Sequence, residues 1–170
     1  MWDGFNESYD DTLGRKASWE SIVNFKNIEA TKRTDMISAN AKWYEDNSHS
    51  NDKVKKKEVK GVTAKVITAA MLGGESYPAT PIGVNLPNSD WIRRDHGSKS
   101  VTIENITYAY YQAAMGSGQL EEFAYSEEEI ELAKKWGGLA NNLHTDLHEC
   151  LGHGSGQLAE GVKGDELKNY

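Results

Sequence analysis

The two histidines of the stretch HTDLHECLGHGSGQL stand five residues apart, and that spacing constrains the backbone beneath them more than any other feature of the chain. His148 is followed by Glu149, then by His153 directly after Gly152. On a regular helix, residues four apart are separated by about 400° and share a face. Residues five apart are separated by about 500°, which turns the second roughly 140° away from the first. For both imidazoles to reach one ion, the helix must absorb an extra residue. A π-bulge does this, and such bulges favour functional sites; Gly152 is the residue type most tolerant of the distortion. Two other readings stay open: a frayed helix end, or a polar cluster without a ligand. A rival pair also exists, since His144 and His148 are four apart and, with Asp146 nearby, would share a face of an unbroken helix.

The chemistry suggested by this cluster is metal-assisted hydrolysis. Neutral imidazoles hold an ion such as zinc, and an adjacent carboxylate takes a proton from water. On that reading His148 and His153 are ligands and Glu149 is the general base. Cys150 is the only cysteine, so neither a disulfide framework nor a four-cysteine zinc module is available. Its expected role is small-residue packing, and no electropositive setting for a reactive thiolate is evident around it.

Composition narrows the remaining classes. The chain has 170 residues, enough for one moderate core. Its formal net charge of −7 argues against non-specific nucleic-acid binding. No apolar run approaches the roughly 20 residues of a membrane span, and the acidic start MWDGFNESYDD is unlike a signal peptide. The expectation is a soluble, cytoplasmic chain without nucleic-acid or membrane partners.

Periodicity predicts an α+β, mostly helical fold. ASWESIVNFKNIEATKRTDMISANAKWYEDN reads as helix in two pieces, with Ile22, Phe25, Ile28, Met36, Ile37, Ala41 and Tyr44 along one stripe. The lysine-rich SHSNDKVKKKEVKG is a solvated loop or strand edge. GVTAKVITAAML is rich in β-branched residues and reads as a strand. PIGVNLP suits a strand with an exposed edge, because proline cannot donate to a ladder. VTIENITYAYYQAAM looks helical, and YSEEEIELAKKW opens on a Ser126–Glu129 capping box. Gly137 and Gly138 are expected to interrupt that helix, with another beginning at LANNLHTDLHECLG. The five tryptophans, Trp2, Trp19, Trp43, Trp91 and Trp136, are expected in core or interlobe packing, some of them left exposed if the chain is a fragment.

The motif H-E-C-L-G-H, followed by GSG, resembles the hallmark H-E-x-x-G-H of the dipeptidyl peptidase III family of zinc peptidases, and its cysteine is similar to bacterial members. PIGVNLPN resembles that family's substrate-binding strand, G-(I/V)-N-x-P-N, and GFNESYDD resembles its G-F-(I/V)-E-x-Y-x-D-P segment. Three motifs in order span residues 4 to 156, with departures at Asn6 and Thr12, where the family has an aliphatic residue and proline.

The resemblance implies one zinc ion on His148 and His153, with Glu149 as general base on water at the metal. Tyr9 would steady the oxyanion, Glu7 would meet the substrate's free amino group, and Asn85 and Asn88 would hold the peptide backbone. It implies removal of dipeptides from the free N-terminus of peptides. It also implies a third zinc ligand in a downstream E-E-x-R-A-(D/E) segment, which residues 1–170 do not contain. The expectation is therefore a central fragment of a two-lobed peptidase, a single incomplete piece. Residues 1–60 would be its N-terminal strand and helical part, 61–90 the strand region with the peptide-binding edge strand, and 91–170 the helical zinc-motif part. Such a piece would be inactive alone, with Glu160, Asp165 or Glu166 replacing the missing ligand only by accident, and any self-association would be non-biological. The alternative is a non-catalytic helical module that binds peptide, or serves structure, without zinc.

Overall fold

Burial alternates over residues 22–25 of Ser18–Lys26: Ile22 and Asn24 point inward, while Val23 and Phe25 point out. That period of two makes a strand, β2, and corrects the helix read over this stretch. The β-branched pair Ile22–Val23 suits a pleated, half-buried surface, and Phe25, assigned to a helical stripe, is 68% exposed. The computed structural model describes residues 2–7, 18–59, 63–74, 76–77, 80–86, 90–97 and 99–162, with side chains in the same stretches except at 2–7, 18–19, 90 and 93–94.

The architecture is α+β and mostly helical. Strand β1 (Trp2–Glu7) pairs antiparallel with β2, setting Glu7 opposite Ser18. Strand β3 (Thr63–Gly74) runs antiparallel to β2, with a bulge between Val23 and Asn24. Strand β4 (Gly83–Leu86) pairs antiparallel with β5 (Lys99–Ile103), Asn85 facing Ser100. The strand order is β1-β2-β3-β5-β4, so β4 is an edge strand, as its prolines suggested. The helices are α1 (Ile28–Ala39), α2 (Ala41–Asn47), α3 (Asp90–His96), α4 (Glu104–Met115), α5 (Gln119–Phe123) and α6 (Glu127–Leu147). Among the described residues no helix is long and apolar enough to cross a membrane.

The chain groups into two units. One comprises Met1–Asn27, Ile67–Ile82 and Ile103–Leu143. Within it Ile22, Ile67, Ile103 and Ile130 are buried. The Asn105 side chain donates to the Ala69 carbonyl and accepts from the Ala69 N–H, both at 2.9 Å, tying α4 to β3 through the backbone of one residue. Helix α6 starts at the expected box, with the Glu129 N–H on Ser126 Oγ at 3.3 Å. Its Gly137–Gly138 pair does not interrupt it. The glycines instead admit a ring: a Cβ at Gly137 would stand 3.2 Å from Tyr111, whose hydroxyl donates to the Ala133 carbonyl. Helical continuity is maintained through two poor helix formers because packing outweighs local propensity. Val101–Ile103, read as the start of a helix, belongs to β5.

The other unit comprises Ile28–Val66, Gly83–Thr102 and His144–Tyr170. Here α1 buries Thr31, Thr34 and Ile37, whereas Ile28 and Met36 are exposed, so the buried stripe is partly hydroxylated. The two threonines serve the strand backbone: the Val66 N–H donates to Thr31 Oγ1 at 3.2 Å, and Thr34 donates to the Ala64 carbonyl at 3.3 Å. Ile37, Ala64 and Cys150 form the core, with Leu147 and Leu151 packed against it. Glu45, buried on α2, accepts from the N–H groups of Lys56 and Gly156 at 2.6 Å and 3.0 Å, and so holds the loop after His153. None of the three tryptophans that can be checked is a core residue here. Trp43, Trp91 and Trp136 are 61%, 56% and 51% exposed; the side chains of Trp2 and Trp19 lie outside the described residues.

Candidate metal centre

Helix α6 ends in a π-helical turn over His148–Gly152. The His153 N–H donates to the His148 carbonyl at 3.1 Å, five residues back, and at Ser155 the ladder returns to the four-residue step, bonding the Leu151 carbonyl at 2.8 Å. The helix therefore absorbs one residue where the histidine spacing required it. Gly152 carries less of this than expected. It has no positive φ, and an added Cβ would make ordinary contact with the His148 ring at 3.6 Å.

The turn brings His148 and His153 together. Their rings meet edge to face with centroids 4.7 Å apart, and their Nε2 atoms are 3.1 Å apart. With bonds of about 2.05 Å in a tetrahedral shell, two zinc-bound nitrogens stand roughly 3.4 Å apart, so the pair is close to chelating spacing. His148 is exposed, His153 half-buried and Glu149 buried, and one donor atom from each lies within 4.8 Å of the others. Among the described residues, Glu160 and His144 are not part of this group. The rival pairing of His144 with His148 is not the one formed. Asp165 and Glu166 lie outside the described residues.

Glu149 is 5% exposed, and burial pushes its carboxyl up to about 7 from an ordinary value of 4.5. Its Oε2 has no hydrogen-bond partner among the described residues. That orphaned buried oxygen beside two converging imidazoles fits a cation or a proton awaiting transfer. Gly83, on β4, makes room for the carboxylate: a Cβ there would fall 2.3 Å from Oε1. Sequence reasoning passed over Gly83, because only its close approach to another segment makes a side chain impossible.

The carbonyl of Glu149 is also held. Ser100, buried in β5, donates to it at 2.8 Å. Asn85 Nδ2 donates to Ser100 Oγ at 2.5 Å and lies 3.4 Å from the same carbonyl. Asn85 thus stands inside the unit, 8% exposed. Just before the turn, the buried Asp146 carboxylate pairs with Arg33 of α1. Cys150 is 1% exposed, and burial first, then the Asp146 charge, pushes its thiol up to about 11. This is the packing residue expected, with no thiolate for chemistry. Glu7 ends β1 with its side chain outside the described residues, and Tyr9 and Asn88 lie outside them altogether.

Comparison with known proteins agrees with the motifs. A model of Peptidase family M49 matches residues 2–170. "Dipeptidyl peptidase 3" of Nematostella vectensis is 30% identical over 91% of this chain and 20% of its own length. The protein of that name from Homo sapiens is 28% identical over the same shares. "Nudix hydrolase 3" of Arabidopsis thaliana is 28% identical over 88% of this chain and 19% of its own. Among solved structures, dipeptidyl-peptidase III from Corallococcus sp. strain EGB has a TM-score of 0.73 at 20% identity, covering 91% of this chain and 28% of that one. DPP III from Caldithrix abyssi has a TM-score of 0.70 at 21% identity, over 88% and 29%. The chain spans about a fifth of the curated relatives it matches. With the family model matching residues 2–170, the chain belongs to Peptidase family M49.

Proposed function

We propose that this chain carries the metal-binding helix and a substrate strand of a zinc peptidase that removes dipeptides from the free N-terminus of peptides. The observation that carries the reading is the π turn, which sets the Nε2 atoms of His148 and His153 3.1 Å apart beside the buried Glu149 carboxylate. His148 and His153 would hold the ion. When bound, zinc supplies Lewis-acid polarisation of the scissile carbonyl. Glu149 would take the proton of the attacking water and hand it to the leaving amine, burial easing the carboxyl's return to the protonated form between the two halves. The edge of β4 is where an extended peptide would add by main-chain hydrogen bonds. In this scheme Asn85 and Asn88 secure the strand's hold on the peptide, Glu7 meets the free amine, and Tyr9 donates to the oxyanion.

Two imidazoles alone hold zinc weakly, since a catalytic site takes three protein ligands. The 170-residue chain by itself is accordingly proposed to turn over little or not at all, as a module that retains the substrate strand. Zinc stoichiometry after dialysis, on this chain and on His153→Ala, tests the metal reading. Retained zinc that the variant loses supports it; the same bound zinc in both overturns it, and none in either moves the metal chemistry to a protein containing the complete site. For the activity, a protein containing the complete site should release dipeptides from peptides with a free N-terminus and nothing from blocked ones. Equal cleavage of both would refute the proposed specificity.

A further inference from the structure

In an α-helix the carbonyl of Glu149 would accept from the N–H four residues on, that of His153. The π turn gives that N–H to the His148 carbonyl instead, so the inserted residue strips Glu149 of its α-helical donor. A buried carbonyl without a donor is costly. The position is served from outside the helix, by the Ser100 hydroxyl at 2.8 Å. Ser100 has one hydroxyl hydrogen and is 1% exposed. Asn85, its cross-strand partner, donates to Ser100 Oγ at 2.5 Å and so directs that hydrogen toward Glu149.

We propose that Ser100 is a positioning residue for the metal-binding turn: its hydroxyl stabilises the slipped register by replacing the donor that Glu149 loses. The proposal rests on the metal reading for its consequence, but not for its test. Without Ser100, the Glu149 carbonyl is left buried and unpaired, so the slipped turn opens more often, which frees the His153 N–H and loosens His153 from His148 and the Glu149 carboxylate from Gly83. Ser100 acts only through the backbone and touches no reacting atom.

The experiment is amide hydrogen exchange, followed by NMR on the metal-free protein, in wild type, Ser100→Ala and the near-isosteric Ser100→Cys. Exchange at His153 should rise about tenfold in Ser100→Ala, the effect of one lost hydrogen bond, while Ile37 in the adjacent core stays unchanged. Ser100→Cys, with a weaker donor, should fall between. An unchanged His153 amide in both variants, or a rise shared equally by Ile37, overturns the proposal. If the alanine variant does not fold, the cysteine variant must show the same local selectivity or the proposal fails. Zinc added to wild type and read from the His148 and His153 ring nitrogens separates the two ideas. A silent titration with selective exchange sinks the metal reading and keeps the positioning role of Ser100; a zinc response with unselective exchange does the reverse.

Discussion

Replacing Glu149 with Gln should change how stability depends on pH. In the unfolded chain this carboxyl ionises near 4.5, whereas burial in the fold holds it to about 7. Between those values the folded protein binds more protons than the unfolded one, so the group's contribution is fully present below 4.5 and is lost as pH rises through 7. The gap of about 2.5 pKa units, at 1.36 kcal/mol each, corresponds to about 3 kcal/mol. For a domain of this size that is roughly 6–12 °C in Tm. Thermal unfolding of metal-free wild type and Glu149→Gln at pH 4.5 and pH 8 reads the effect as a difference of differences. This cancels every other titrating group and any pH-independent cost of the amide. The wild type should lose about 3 kcal/mol more than the variant on going to pH 8. Parallel profiles for the two proteins would refute the argument that an unpaired, buried Glu149 carboxylate stands in this turn. A cation held by His148 and His153 favours the ionised carboxylate, so zinc loading should shrink the difference between the wild-type and variant profiles.

Gly83→Ala forces a Cβ to within 2.3 Å of Glu149 Oε1 and should cost about 1–3 kcal/mol by urea unfolding. Shortening the opposing side chain removes the clash, so a Gly83→Ala/Glu149→Ala double variant should recover much of that loss; strict additivity would show that the two do not meet. Arg33→Ala leaves the fully buried Asp146 without its cation and should cost about 3–5 kcal/mol by the same assay. A loss no larger than that of a surface substitution would mean that the pair does not hold α1 to the end of α6.

What could be read in advance follows from where each signal resides. The π turn was legible because two side chains with one purpose stood at a spacing that no regular helix serves. The β4 edge strand was legible because proline declares which side of a strand lacks a partner. Ser18–Lys26 was misread because Ile22, Phe25 and Ile28 also fit a helical step of three. Asn24 decided the matter, since a buried asparagine between two outward apolar residues follows a period of two, and hydropathy alone gives it no weight. Gly137 and Gly138 read as a break because their use, admitting the Tyr111 ring, depends on a segment 26 residues earlier in the chain.

The site shows the same division more sharply. His148, Glu149 and His153 are neighbours in sequence, and their chemistry is local. What holds them comes from elsewhere: Gly83 and Asn85 from β4, Ser100 from β5, and Arg33 from α1. A helix carrying an extra residue has no local reason to keep it, because the α register would return the His153 N–H to Glu149 and restore a bond. The slipped register has to be favoured by contacts that exist only in the folded unit. The Ser100 hydroxyl serves the displaced carbonyl, and Gly83 provides the space into which the slipped turn directs its carboxylate. The inserted residue and the β4–β5 strand pair therefore form one device, and a substitution in that pair should reach the histidines without touching them.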